Sequence, residues 1–117
     1  MEGSRLCVIL DRAILSGDRI FKVARESLAG GAAVIQLRDK SSSMPDMIRT
    51  ARRLKELTQR GGALFIVNDS IEVALASGAD GIHVGQGDMP VRLAKRLMGQ
   101  DKLIGAETDV VVKDRRP

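Results

Sequence analysis

Short apolar runs alternate along the chain with longer stretches in which apolar residues recur every three or four positions. Leu6–Leu10, Ala33–Leu37, Leu64–Val67 and Gly81–Val84 are predominantly apolar runs of four or five residues, each followed by a polar residue or glycine. Runs of this kind, without strict polar alternation, predict strands buried on both faces. A helix is predicted from Asp18 to about Ala29, with Ile20, Val23, Ala24 and Leu28 on one side. Ser16, Gly17 and Asp18 offer cap chemistry at its start, and Gly30-Gly31 stops it. A second helix is predicted from near Pro45 to Arg60, with Met47, Ile48, Ala51, Leu54 and Leu57 as its buried stripe. Ser70–Ser77 predicts a short third helix, ended by Gly78, and Pro90–Met98 a fourth, closed by Gly99. Lys102–Gly105 begins a fifth strand. After it, Val110–Val112 could pair as a strand, but the charged end reads as a frayed terminus.

Strands separated by helices, with no hairpin signals, predict consecutive β/α units and a parallel sheet. Two architectures fit: a doubly wound open sheet, or a (β/α)₈ TIM barrel that is incomplete. No G-x-G-x-x-G follows the first strand, which weakens the dinucleotide-binding version of the open sheet.

Composition narrows the picture. Of 117 residues 44% are apolar, but only two are Phe and none is Trp or Tyr. Ile, Leu, Val, Ala and Met must therefore build the core. The formal charge of +4 suits an anionic partner. The near absence of aromatics to stack bases favours a small anion over nucleic acid, and the basic residues are scattered apart from Lys113-Asp114-Arg115-Arg116. The single cysteine, Cys7, cannot form an intrachain disulfide and is expected to be a buried core thiol. No apolar run approaches the ~20 residues of a membrane span, and none reads as a signal peptide, so a cytoplasmic protein with no membrane partner is expected.

Ligand sites in α/β folds form at the carboxyl ends of parallel strands. The second strand ends in Gln36-Leu37-Arg38-Asp39-Lys40. Alternation puts Gln36 and Arg38 on one face and turns Ile35 and Leu37 toward the helices. Arg38 is a rigid fork suited to phosphate oxygens and Lys40 a mobile point charge. The bland alternative is that Asp39 merely pairs with one of them at the surface. The third strand ends in Asn68-Asp69, an amide followed by a hard oxygen ligand, although Asp69 or Ser70 could instead cap the next helix. The fourth strand and its loop read His83-Val84-Gly85-Gln86-Gly87-Asp88, where the glycines permit close backbone approach to a ligand. Asp88 could again be a helix cap, and a lone His83 is more often a satisfied structural residue than a reacting one. Taken together, two carboxylates (Asp69, Asp88) and two cations (Arg38, Lys40) on neighbouring strand ends suit a diphosphate ester with Mg²⁺.

The strings Val34-Ile35-Gln36-Leu37-Arg38-Asp39-Lys40, Ile66-Val67-Asn68-Asp69 and Gly78 through Asp88 together resemble the thiamine-phosphate synthase family, from about Leu6 to Gly105. That resemblance implies a TIM barrel and an enzyme joining hydroxymethylpyrimidine diphosphate to thiazole phosphate with release of pyrophosphate. It implies Gln36, Arg38, Lys40, Asn68 and Thr108 on the pyrimidine substrate, and Asp69 and Asp88 on Mg²⁺. It also implies a dissociative reaction, in which pyrophosphate leaves before the thiazole nitrogen attacks a pyrimidine-methyl cation. Related thiazole tautomerases share the fold, but the Gln-x-Arg-x-Lys and Gly-Gln-x-Asp strings are more similar to the synthases. Glu107 stands where the family has Ser, with Thr108 kept, and the similarity then stops.

A full barrel takes at least ~200 residues. The expected organisation is therefore residues 1–105 as four β/α units and a fifth strand, and residues 106–117 as a divergent tail that follows a truncation or frame change near Ala106. Such a chain is expected to be impaired on its own and to self-associate through exposed half-barrel edges. Three alternatives remain open at this point: a non-catalytic Mg²⁺-pyrophosphate-binding half-barrel, a tautomerase-like relative, and an open-sheet protein of another phosphate-binding class.

Overall fold

The computed structural model describes residues 6–84 and 103–106. Five parallel strands form one sheet: β1 (Cys7–Asp11), β2 (Val34–Arg38), β3 (Leu64–Asn68), β4 (Gly81–Val84) and β5 (Leu103–Ala106). Three helices connect the first four: α1 (Arg19–Ala29), α2 (Met44–Arg60) and α3 (Ile71–Ser77). The expected helix at Pro90–Met98 and residues 107–117 lie outside the described residues, whereas Ala106, expected to open the tail, ends β5 level with Val84.

The strands lie in the order of the chain, β1-β2-β3-β4-β5. A doubly wound sheet reverses its order at a switch point; none occurs among these five strands. The three helices bury their stripes on one sheet face. Ile20, Phe21 and Ala24 of α1, Ala51 and Leu54 of α2, and Val73 and Ala74 of α3 join Ile35, Leu37, Phe65, Val67, Ile82 and Val84 in one core. Burying a side chain of that size stabilises the fold by roughly 1.5–3 kcal/mol. The other face carries a smaller cluster of Val34 and Ile66, with Ala33 and Leu64 against it.

The helix boundaries have local causes. Ser43 caps α2 by accepting the Asp46 N–H, and Ser70 caps α3 by accepting the Val73 N–H at 3.1 Å. Asp46 in the first turn of α2 and Arg60 in its last complement the helix dipole. Gly78 ends α3 at φ 71°, a left-handed conformation that suits glycine. At α1 the cap chemistry differs from expectation. Asp18 holds the cap position with helical backbone angles, and its side chain makes no capping hydrogen bond.

An ion pair ties the amino-terminal ends of the strands to α2. Lys55 Nζ lies 3.0 Å from Asp80 Oδ1, while Asp80 Oδ2 accepts the Phe65 N–H at 2.8 Å. This end of the sheet is therefore braced by charge, and the opposite rim carries the candidate chemistry.

Cys7 departs from expectation. It is exposed, because it stands on the edge strand β1 with its side chain on the face away from the helices, whereas Leu10 on the same strand faces the helices and is 1% exposed. Partial desolvation still pushes its thiol pKa up. Its neighbours Leu6 and Ile9 are also more than half exposed.

Candidate active site at the strand ends

The parallel register sets the site. Asp11 is level with Arg38 across β1 and β2, Ile9 with Gln36, Gln36 with Ile66 across β2 and β3, and Asn68 with His83 across β3 and β4. Alternation from these anchors puts Asp11, Gln36, Arg38, Asn68 and His83 on the face away from the helices. The expectation that Gln36 and Arg38 share a face, with Ile35 and Leu37 turned to the helices, holds.

Gln36 is 1% exposed and His83 9%. Two such polar groups need partners, and they find each other: Gln36 Nε2 lies 3.0 Å from His83 Nδ1. His83 is thus a satisfied buried residue. Its backbone also contributes, since the His83 carbonyl accepts the Asp69 N–H at 2.8 Å.

Asp69 follows β3 with φ 73°, the only non-glycine residue at positive φ among those described. The Ser70 N–H donates to the Asn68 carbonyl at 2.9 Å, closing a three-residue turn around Asp69. Such a conformation costs on the order of 1–3 kcal/mol and persists only where its surroundings impose it. Here the His83 carbonyl, the Ser70 cap and the side-chain contacts all do so. Lys40 Nζ donates to Asp69 Oδ2 at 2.7 Å, joining the loop after β2 to the end of β3. The Asn68 amide is satisfied with its nitrogen toward the carboxylate, 2.7 Å from Oδ2 and 3.2 Å from Oδ1. Its oxygen then accepts from Gln36 Nε2 at 3.0 Å. The reverse orientation would set the amide oxygen against the carboxylate and leave only a 3.4 Å contact from Asn68 Nδ2 to His83 Nδ1.

Of the expected site residues, Gln36, Lys40, Asn68 and Asp69 are therefore linked in one network. Arg38 stands on the same rim but pairs with Asp11, its Nε 3.9 Å from Oδ2, with half of its side chain exposed. Asp88, Thr108, Gly85 and Gly87 lie outside the described residues. Asp39 pairs with neither Arg38 nor Lys40. Its Oδ1 accepts the N–H groups of Ser41 and Ser42 and shapes its own loop. Partial burial pushes the Asp39 carboxyl pKa up, but hydrogen bonds from the side chain and backbone of Ser42 and from the Ser41 backbone, with the Arg12 charge, outweigh it and leave the group below its ordinary value. Helix capping falls to Ser70, not Asp69. Asp11 was not among the expected residues. It ends β1 as Asn68 ends β3, so the strand-end rule reaches it once the first strand is extended by one residue.

The rim therefore presents cations and carboxylates from three adjacent strand ends over a buried amide–imidazole layer. That arrangement is an α/β sheet with charged groups gathered at its strand ends. The comparisons make the class specific. Residues 6–110 match the family described as thiamine monophosphate synthase, and the chain belongs to that enzyme family. It is 45% identical over 103 residues to the thiamine-phosphate synthase of Chlorobium phaeovibrioides, covering 88% of this chain and 47% of the relative. It is 48% identical over 101 residues to that of Chloroflexus aurantiacus, covering 86% of this chain and 46% of the relative. A solved thiamine phosphate pyrophosphorylase from Pyrococcus furiosus superposes with a TM-score of 0.77 at 38% identity, covering 87% of this chain and 48% of that one. The chain thus spans about half the length of these relatives.

Proposed function

We propose that this chain carries the diphosphate-binding side of a thiamine-phosphate synthase site, on the first strands of a (β/α)₈ barrel of which it holds about half. In this reading residues 1–105 are the barrel portion and residues 106–117 a divergent tail. The substrates are hydroxymethylpyrimidine diphosphate and thiazole phosphate, and pyrophosphate is released. The observation that carries the reading is the 2.7 Å contact of Lys40 with Asp69, which sets an ammonium and a carboxylate from different strands side by side on the rim. The consecutive strand order and the one sheet face shared by the three described helices support the barrel portion.

Of the two carboxylates assigned to Mg²⁺, Asp69 is described, and its chemistry suits that ion. That ion takes one or two carboxylates, keeps several waters and completes its shell with phosphate oxygens. Asp69 offers a part-exposed carboxylate with lone pairs beyond those its neighbours occupy. Asp69 and Asp88 would hold the ion, which when bound neutralises charge on the diphosphate. Without ligand, Lys40 neutralises Asp69. With the diphosphate present, the ammonium and Arg38 turn to phosphate oxygens, and Gln36, Asn68 and Thr108 orient the pyrimidine half. Cations held near the leaving group stabilise the charge that develops as the carbon–oxygen bond breaks. The reaction is dissociative: pyrophosphate departs with the bonding pair, and the thiazole nitrogen then supplies the pair for the new carbon–nitrogen bond.

Calorimetric titration of the chain with pyrophosphate and Mg²⁺ tests the binding half of this reading. Saturable heat that requires Mg²⁺ and is lost in Asp69→Ala is expected. Absence of heat in the unmodified chain, or equal heat in the variant, refutes it. A non-catalytic Mg²⁺-pyrophosphate-binding half-barrel would give the same heat; turnover of the two substrates, followed as thiamine phosphate, separates the two.

A further inference from the structure

The network behind the rim has a direction, and a carboxylate sets it. Asp69 can only accept hydrogen bonds when ionised. The Asn68 amide beside it must therefore turn its nitrogen toward the carboxylate, at 2.7 and 3.2 Å, and its oxygen away. That oxygen lies 3.0 Å from Gln36 Nε2 and can only accept, so Gln36 must present its nitrogen. The second proton on the same nitrogen points to His83 Nδ1 at 3.0 Å. Gln36 is 1% exposed, so water is a poor substitute for any of these partners, and a misdirected buried amide costs about 1–3 kcal/mol. His83 Nδ1 must then be a lone pair.

We propose that Gln36 and Asn68 are positioning residues that transmit the acceptor character of Asp69 to His83, fixing the neutral ring as its Nε2–H tautomer. The imidazole on β4 is thereby held as a donor at Nε2, although the Asp69 side chain is separated from it by two amides. The inference concerns the ligand-free chain and does not need the thiamine-phosphate reading. A calorimetric failure there and a failure here are separate events.

His83 is the chain's one histidine, so nitrogen-15 spectra of the ring contain a single imidazole. They are to be recorded near pH 8, with the neutral ring identified from the nitrogen shifts themselves. The unmodified chain is expected to show an unprotonated Nδ1 and a protonated Nε2 with no averaging between tautomers. Asp69→Asn restores a donor at position 69 and lets both amides turn over, so averaged tautomer shifts are expected although the ring itself is untouched. Gln36→Glu replaces the donor with an acceptor and should move the proton to Nδ1. A protonated Nδ1 in the unmodified chain overturns the proposal. So does an Asp69→Asn ring spectrum identical to the original, which would mean that the orientation is set locally at Gln36. Asp69 lies at the part-exposed rim, so its variant and the unmodified chain decide the matter even if Gln36→Glu does not fold.

Discussion

Replacing Lys40 with Met separates a contact that supports the fold from one that serves a ligand. Met keeps most of the aliphatic stem and deletes the charge. In the folded chain Lys40 makes one ion pair, to Asp69 at 2.7 Å, with side-chain exposures of 59% and 31%. Two unit charges at that distance attract strongly on paper, but water screens this pair and the long side chain loses freedom in making it. Measured exposed pairs contribute about 0.2–1 kcal/mol. For a domain of this size 1 kcal/mol moves the melting temperature by about 4–8 °C. Thermal and urea unfolding of Lys40→Met should therefore show a loss of no more than about 1 kcal/mol. Binding is different. A hydrogen bond to a charged group is worth about 1.5–3 kcal/mol, which corresponds to roughly 10- to 150-fold in affinity for Mg²⁺-pyrophosphate. Parallel calorimetry and denaturation on the same preparation measure both. A dissociation constant within about threefold of the unmodified value, or a stability loss beyond about 2 kcal/mol, would refute the assignment of Lys40 to the ligand.

Lys55→Met breaks the part-buried pair with Asp80 and should destabilise the chain toward the lower end of about 3–5 kcal/mol, because a fifth of the lysine side chain remains in water; the urea midpoint at unchanged slope reports it. Asp69→Gly should be more stable than Asp69→Ala by about 1 kcal/mol, since only glycine adopts φ 73° without strain, and both should lose Mg²⁺-dependent pyrophosphate binding. Asp39 has a lowered folded pKa, so its contribution is complete above its unfolded value near 3.9 and disappears as pH falls through the folded value. The stability difference between the unmodified chain and Asp39→Asn should accordingly be constant from pH 7 to about 5 and shrink below about 4, as followed by urea unfolding. The exposed Leu6 and Ile9 on the unpaired edge should make the chain self-associate, and Ile9→Lys should lower the sedimentation-derived mass at a given concentration.

The strand and helix text was legible because each level of the sequence agreed. Val34–Arg38 and Leu64–Asn68 are apolar until their carboxyl ends, where Gln36, Arg38 and Asn68 enter, as strands covered along most of both faces allow, and glycines stand where helices stop. Boundaries moved by a residue where polar strand ends join the ladder, as Asp11, Arg38 and Asn68 do. Pairings between distant residues were not legible. That Arg38 meets Asp11 depends on the register of two parallel strands, which no local pattern encodes. Cys7 reads as core because its neighbours are apolar, yet on an edge strand its burial depends on which sheet face the helices cover, and Cys7 lies on the other one. The positive φ of Asp69 was hidden for the opposite reason: aspartate is unremarkable in a loop, and it is the bonds to the His83 carbonyl and from Lys40, with the turn closed by Ser70, that hold it there.

Ser70 and Asp69 stand side by side, and the work is divided between them. The serine anchors the start of α3, which leaves the aspartate without a structural duty to its helix. If Asp69 serves the proposed ligand, variation at position 69 removes that affinity while the protein still folds and accumulates. Inactive members of such a lineage would persist as well-formed chains, recognisable by a retained serine beside an altered acid.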